Sequence, residues 1–376
     1  MEVYDGAVDK GLEGVIACTT EISSIVDATL CYRGYTIEDL AENATFEEVV
    51  FLLWNDRLPT AAELTELKKT FGSSMSLGHE LLSVLKTFPT QNVHPMAWLR
   101  SAVSTMGLWD VDAENMTDEA NHRKAIRLSA KMATLVATFH RVREGLSLVE
   151  PKVDKGMAWN FLYMLKGEEP DAEMVKIFDT CLILHADHEL NCSAFSARVT
   201  ASSLSDMHSS VVSAIGTLKG PLHGGANEQV MRTLKEIGSK DQLLPWLEEA
   251  LAQKKKIMGF GHRVYKNGDP RAKILRNMSK SMTERSSEPQ WFAMSTLLDE
   301  EMQSRKGLLP NVDFYSASVY YAMGIPLDIF TPIFAVSRVT GWIAHILEQY
   351  SKNRIYRPRG EWKGREGLKY KPLAER

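Results

Sequence analysis

Three short stretches of the sequence place a titratable side chain where its chemistry could be used. In the first, residues 220–227, His223 is followed by two glycines. Glycine lets the backbone pass close to another molecule, so His223 is a candidate for contact with a ligand. The structural alternative is a histidine in a flexible turn, which is the commoner fate of a lone histidine.

The second stretch, residues 254–271, combines cations with a glycine-containing loop. Three lysines that end at Lys256 precede the loop, His262 follows it directly, and Arg271 closes the stretch. Positive charges and exposed backbone groups suit a ligand that carries phosphates. The alternative is that the lysines end a helix and complement its dipole. The sequence contains neither a P-loop nor a GxGxxG motif.

The third stretch is Asn311-Val312-Asp313, which follows a proline. An Asp among apolar residues loses hydration, and this raises its pKa above the usual value of about 3.9 and makes it a better base. The alternative is an Asx turn or a helix N-cap, which the local sequence favours.

Two further features lie on predicted helices. His185 and His188 are three residues apart on one face, so a metal pair is conceivable, but no third ligand follows at a familiar spacing. We therefore expect no metal site. Arg338 lies within an apolar helix and needs a carboxylate partner, either from the protein or from a ligand.

Composition excludes several classes of protein. The 44 Lys and Arg against 48 Asp and Glu give a net charge of −4, so no strong field attracts nucleic acid or an anionic membrane. The four cysteines form no CxxC motif, which favours reduced thiols. The N-terminus does not resemble a signal peptide, and no uninterrupted apolar stretch reaches the length of about 18 residues that a membrane span needs. These features predict a soluble, cytoplasmic protein.

The elements that must position these side chains are predicted to be helices, because most segments have a helical period. Residues 193–218 are predicted to form one long central helix, and Thr331-Pro332 to begin the last strong helix. Short strands are predicted at residues 14–17 and 30–32. The fold is therefore expected to be mostly α.

Two pairs of helix breakers indicate domain boundaries. Gly220-Pro221 and Gly324-Ile325-Pro326 divide a chain whose length exceeds the roughly 250–300 residues at which cores tend to split. We expect a large helical domain formed by residues 1–222 and 326–376 and a small domain formed by residues 223–325. The active site would lie in the cleft between them.

In these residues and in the motifs around them, the sequence resembles the citrate synthase family. Residues 259–271, GFGHRVYKNGDPR, are similar to the family signature, and further family motifs occur in the family's order over nearly the whole chain: residues 11–14, 32–35, 52–54, 185–189, 219–227, 311–313 and the helix around Arg338. Cys192 and Asp56 depart from residues that are common in the family. Neither position carries a role that the resemblance implies.

The resemblance implies an almost wholly helical homodimer whose two domains close over the substrates. It implies condensation of acetyl-CoA with oxaloacetate and hydrolysis of the thioester to citrate and CoA. His223 would hydrogen-bond the thioester oxygen, Asp313 would remove the methyl proton, and His262 would polarise the ketone of oxaloacetate. His223 should be neutral in this role, since a second cation beside the arginines would be costly.

The resemblance also implies the remaining contacts. Oxaloacetate would be bound by His188, Arg271, Arg338 and, across the subunit interface, Arg357. CoA would be contacted by Lys256, Met258, Gly259, Phe260, Gly261 and Asn311. We expect no cofactor and no metal, with acetyl-CoA as a substrate, and neither nucleic acid nor membrane as a partner.

Two alternatives stay open. A 2-methylcitrate synthase would use propionyl-CoA with the same catalytic groups, and one methylene in a pocket changes selectivity by only about 1–3 kcal/mol. A protein that binds CoA or carboxylates without catalysis would have no use for the acid–base set of His223, His262 and Asp313.

Overall fold

The computed structural model describes residues 10–12, 14–262, 264–265 and 267–376 of the chain. Helices dominate these residues and strands are few, so the predicted mostly α fold is confirmed. The α-helices are α1 Ile37–Asn43, α2 Phe46–Asn55, α3 Ala61–Ser74, α4 His79–Leu85, α5 Pro95–Gly107, α6 Asp118–Arg143, α7 Met157–Lys166, α8 Ala172–His185, α9 Cys192–Ser202, α10 Met207–Leu218, α11 Ala226–Ile237, α12 Lys240–Ala252, α13 Pro270–Glu284, α14 Gln290–Lys306, α15 Val312–Ala322 and α16 Phe330–Ser351. Short 3₁₀ turns lie at Lys10–Leu12, Leu327–Ile329 and Leu373–Glu375.

The strands form one small antiparallel sheet near the N-terminus. Strand β1 (Ser23–Val26) pairs with β2 (Thr29–Tyr32), which pairs with β3 (Tyr35–Thr36). The strand predicted at residues 30–32 is confirmed. The strand predicted at 14–17 is wrong: that segment pairs with no strand of the described chain, and Ile16 is 90% exposed.

Side-chain caps fix where many helices begin. Thr45 and Thr60 form capping boxes at the starts of α2 and α3. The prediction of one long helix over residues 193–218 is wrong. The chain turns at Leu204, which has a φ of 62°, and Asp206 caps a new helix. Helix α9 and helix α10 therefore form a pair that packs together.

Helix α16 is the centre of the fold. It begins within one residue of the predicted start and packs against α6, α8, α9 and α10. By length and composition it could cross a membrane, but its most apolar window is wholly buried inside the protein, as in the core helix of a globular fold. Gly341 lets it approach the segment after α8, since a Cβ there would lie 2.4 Å from the Ala186 carbonyl oxygen.

The small sheet anchors that same segment. The Tyr32 hydroxyl donates to the Asp187 carbonyl oxygen at 2.8 Å and accepts from the Asp187 amide at 3.1 Å. Ser23 donates to the Asp187 carboxylate. These contacts fix the backbone directly before His188.

The predicted domain division stays a prediction. Gly220 follows the end of α10, and Gly324 has a φ of 74° after α15. Both are turns between helices, and a turn alone does not mark a domain boundary.

Candidate active site

A cleft of about 610 Å³ contains every predicted site residue except Arg357. Its walls come from the segments after α8, before α11, before α13 and at the start of α15, together with one face of α16. The predicted residues that line it are His188, His223, Lys256, Met258, Gly259, Phe260, Gly261, His262, Arg271, Asn311, Asp313 and Arg338.

The glycine-containing loop is held against the start of α15 by a short antiparallel bridge between Phe260 and Pro310. The Gly261 amide donates to the Leu309 carbonyl at 2.8 Å, and the Asn311 side chain donates to the Gly261 carbonyl at 3.0 Å. Gly259 has a φ of 87°, and a Cβ there would lie 2.6 Å from a Val230 methyl. Only glycine fits this position, which explains part of the motif.

Asp313 lies in the first turn of α15 but does not cap it. The cap is Asn311, whose Oδ1 accepts from the Asp313 amide at 3.1 Å. Asp313 is 9% exposed, and its Oδ1 has no hydrogen-bond partner among the described residues. Burial raises the pKa of Asp313 to about 7, as expected for a carboxylate that can act as a base.

His223 lies on the turn between α10 and α11 and contacts Ser193 of α9. The distance from His223 Nε2 to Ser193 Oγ is 2.8 Å. Burial and then the charge of Arg338 lower the pKa of His223 to about 4, so the ring is neutral near pH 7, as its predicted role needs. Ser193 was not predicted, and its only signal is that it follows the matched stretch 185–189 by four residues.

Arg338 is a buried cation, and no carboxylate of the described part of the chain pairs with it. Its Nε donates to the His185 carbonyl oxygen at 2.6 Å, and its guanidinium lies 4.6 Å from the Phe334 ring centroid. Burial lowers the pKa of Arg338 to about 10, so the group stays charged near pH 7. Of the two partners that the sequence allowed, this geometry favours a carboxylate of a ligand.

Arg271 is held in a fixed orientation by Asp269, the N-cap of α13. The two side chains form a bidentate pair with distances of 2.9 Å and 2.8 Å. Asp269 also accepts from the Val312 amide at 3.0 Å, which ties α13 to the helix of Asp313. Asp269 was missed as a site residue, although it precedes a proline, as N-caps often do.

The rings of His188, His262 and Tyr265 form one cluster, each in contact with the other two. The two imidazole centroids are 5.1 Å apart, and His188 Nε2 lies 3.1 Å from the Tyr265 hydroxyl. His262 Nδ1 accepts from the amides of Val264 and Tyr265, so the ring proton is on Nε2. This tautomer makes His262 Nε2 a hydrogen-bond donor. Tyr265 was not predicted.

His185 does not line the cleft with His188. His185 lies in the core, where its Nδ1 donates to the Cys181 carbonyl at 2.7 Å, and burial lowers its pKa to about 3. Among the described residues, no group of three or more His, Cys, Asp or Glu side chains could hold a metal ion.

Arg357 lies apart from the cleft, on a second cavity of about 1040 Å³. This cavity is lined by residues before β1 and after α16, and by Arg198 and Glu348. Arg357 is exposed. Within one copy of the chain, Arg357 does not join the other predicted site residues.

The helical fold and the cleft, with a buried carboxylate, neutral imidazoles and fixed guanidinium groups, define a class: acid–base enzymes that act on anionic substrates. A family model described as "Citrate synthase, C-terminal domain" matches residues 11–359. The chain belongs to the citrate synthase family.

Relatives and solved structures cover nearly the whole chain. Citrate synthase 2 of Bacillus subtilis (strain 168) is 55% identical over 98% of this chain and 99% of its own length. 2-methylcitrate synthase 1 of Corynebacterium glutamicum is 43% identical over 99% of both. The citrate synthase of Thermoplasma acidophilum, solved as a ternary complex with carboxymethyl coenzyme A and oxaloacetate, superposes with a TM-score of 0.93 at 32% identity over 98% of this chain and 100% of that one.

Proposed function

We propose that this protein condenses acetyl-CoA with oxaloacetate and hydrolyses the thioester, giving citrate and free CoA. The observation that carries the proposal is that Asp313, His223 and Arg338 meet in one cleft. Among the described residues, Asp313 Oδ1 has no hydrogen-bond partner and Arg338 has no carboxylate partner. The ternary complex of the Thermoplasma relative with a CoA analogue and oxaloacetate supports these two substrates.

The first step is removal of a proton from the methyl group of acetyl-CoA. Asp313 accepts it, and burial makes this carboxylate a stronger base than an exposed one. Because a thioester methyl group is a very weak acid, the developing enol oxygen needs a donor, which His223 supplies. A comparable donor elsewhere contributes roughly 2.7–4 kcal/mol.

The second step forms the carbon–carbon bond. The enol carbon attacks the ketone carbon of oxaloacetate, and His262 donates to the ketone oxygen through Nε2–H. Water then cleaves the thioester of the product, which releases citrate and the CoA thiol. No cofactor or metal takes part.

Oxaloacetate carries two carboxylates, and arginines can hold them in bidentate pairs. We assign this role to Arg271 and Arg338 in the cleft, with His188 beside them. Arg357, which lies outside the cleft of its own chain, completes the site of a second copy in a homodimer. The loop from Lys256 to Gly261, with Asn311, would contact CoA, and the enzyme would act in the cytoplasm.

The test is release of free thiol when both substrates are present. With acetyl-CoA and oxaloacetate we expect continuous release that depends on both substrates. A protein that binds CoA but releases no thiol would be a binding module, and the proposal would fail.

A second candidate, 2-methylcitrate synthesis from propionyl-CoA, is favoured by the Corynebacterium relative. Measuring kcat/KM for both acyl-CoA substrates decides between the two. We expect acetyl-CoA to be preferred, and a higher kcat/KM for propionyl-CoA would assign the other reaction.

A further inference from the structure

The Ser193 hydroxyl has three polar neighbours, and they constrain the ring beside it. It lies 2.8 Å from Asn191 Oδ1, 2.8 Å from His223 Nε2 and 3.0 Å from Trp342 Nε1. Ser193 and Trp342 are fully buried, so water does not compete for these contacts.

A hydroxyl group has one proton to donate and two lone pairs that accept. The Trp342 indole N–H can only donate, so it occupies one lone pair. The Asn191 oxygen can only accept. Its orientation is fixed, because Oδ1 also accepts from the Ala194 amide at 3.1 Å while Nδ2 donates to the carbonyl of Glu189 at 3.3 Å.

The arrangement that satisfies all three contacts is therefore unique. The Ser193 proton goes to Asn191, and the second lone pair accepts from His223. This requires the proton of the neutral His223 ring to be on Nε2. In the alternative, Ser193 donates to His223 and leaves two oxygens facing each other at 2.8 Å without a proton between them.

We propose that Asn191 is a positioning residue that sets the tautomer of His223, while Trp342 holds the Ser193 hydroxyl in place: the free protein holds the Nε2–H form, and substrate binding converts it to the Nδ1–H form. The inference rests on the proposed function, because a thioester oxygen accepts hydrogen bonds and must meet a ring N–H. Nδ1 has no protein partner among the described residues. On conversion the Ser193 hydroxyl turns from Asn191 to His223, one proton leaves Nε2 and one joins Nδ1 through solvent, and the charge of the ring is unchanged. The hydrogen bond from Nδ1 to the thioester oxygen must then offset the loss of the hydrogen bond between Ser193 and Asn191.

The tautomer can be read by nitrogen-15 NMR of imidazole-labelled histidine in the full chain at neutral pH. His223 is assigned by the signals that disappear in His223→Gln. We expect a protonated Nε2 in the substrate-free protein and a protonated Nδ1 after addition of oxaloacetate and carboxymethyl-CoA. A protonated Nδ1 in the free protein, or no change on binding, would overturn the proposal.

Asn191 is also the N-cap of α9. Two substitutions test its effect on the tautomer while keeping a good cap, since Ser and Asp are both good N-caps. Asn191→Asp keeps the acceptor for the Ser193 proton and should keep the Nε2–H form. The shorter side chain of Asn191→Ser withdraws this acceptor and should shift the free protein to Nδ1–H. The same tautomer in both variants would show that Asn191 does not set it.

Trp342→Phe removes the indole donor and keeps an aromatic ring. Because Asn191 still takes the Ser193 proton, we expect the Nε2–H form to remain and kcat to fall roughly two- to tenfold, as for the loss of one hydrogen bond, with little change in KM for oxaloacetate. The matched control is Trp291→Phe, since the buried Trp291 N–H has no hydrogen-bond partner among the described residues. Equal effects of the two substitutions would contradict the role of Trp342.

The NMR experiment on the free protein does not depend on turnover. Absence of thiol release would reject the proposed function and leave the free-state tautomer measurable. An active enzyme with the wrong tautomer would reject only this inference.

Discussion

Asn311 caps the helix that carries Asp313, and the same side chain holds the loop that runs to His262. Its Oδ1 accepts from the Asp313 amide at 3.1 Å, and its Nδ2 donates to the Gly261 carbonyl at 3.0 Å. One amide therefore fixes the distance between the proposed base and the proposed CoA loop.

Asp313→Asn should abolish turnover and leave oxaloacetate binding nearly intact. The amide has the shape of the carboxylate but cannot accept the methyl proton, and loss of a general base costs typically 10²–10⁴-fold in rate. The measurement is kcat from thiol release together with the Kd of oxaloacetate by calorimetry. A fully active variant would remove Asp313 from the mechanism.

The rate should depend on pH through the same carboxylate. Because burial raises the pKa of Asp313 to about 7, the ionised base is lost below this pH. We expect kcat/KM for acetyl-CoA to fall by about tenfold per pH unit on the acid side. A pH profile that stays flat down to pH of about 5 would be incompatible with a base of raised pKa.

Replacement of Arg338 and of Arg271 by Met should change the free energy of unfolding in opposite directions. Arg338 is buried with no carboxylate partner in the described chain, so Arg338→Met should raise the free energy of unfolding by about 1 kcal/mol or more while oxaloacetate binding is lost. Arg271→Met leaves the buried Asp269 unpaired and should lower the free energy of unfolding by about 3–5 kcal/mol.

Urea unfolding of both Met variants, with oxaloacetate titrations, checks this contrast. If Arg338→Met is as destabilised as Arg271→Met, then Arg338 serves the fold and not a ligand.

Arg357→Ala should inactivate the enzyme because it removes an arginine from the site of the partner subunit. Mixed with Asp313→Asn, it should give about a quarter of the wild-type activity, because half of the randomly formed dimers are hybrid and each has one complete site. The activity of the refolded mixture, with each variant alone as the control, checks the shared site. No gain over the separate variants would place Arg357 outside the site of the second copy.

Ionisation of Asp179 should make the free energy of unfolding fall as pH rises. Burial, and then the nearby charge of Glu47, raise its pKa to about 8 from 3.8. Since the folded state binds this proton more tightly than the unfolded state, the protonated group stabilises the fold most at low pH, and this contribution is lost between pH of about 4 and 8. Asp179→Asn should flatten that part of the curve of unfolding free energy against pH, and an unchanged slope would contradict the assignment.

The residue pattern predicted the helical class and indicated His223, Lys256, His262, Arg271, Asp313 and Arg338, because glycines, cations and isolated titratable groups mark close contact with a ligand. The resemblance to the family supplied the other predicted cleft residues. It did not predict Ser193, Asp269 or Tyr265. Their functions depend on three-dimensional contacts with His223, Arg271 and His188, and no local pattern encodes these contacts. The break between α9 and α10 was missed because Leu204, in a left-handed conformation, carries no glycine or proline signal.

The bridge between Phe260 and Pro310 joins the loop to the segment that begins α15. A rotation that brought the loop onto the proposed coenzyme would therefore carry the carboxylate of Asp313 along the same arc. Contact with the coenzyme and positioning of the base would then be a single movement.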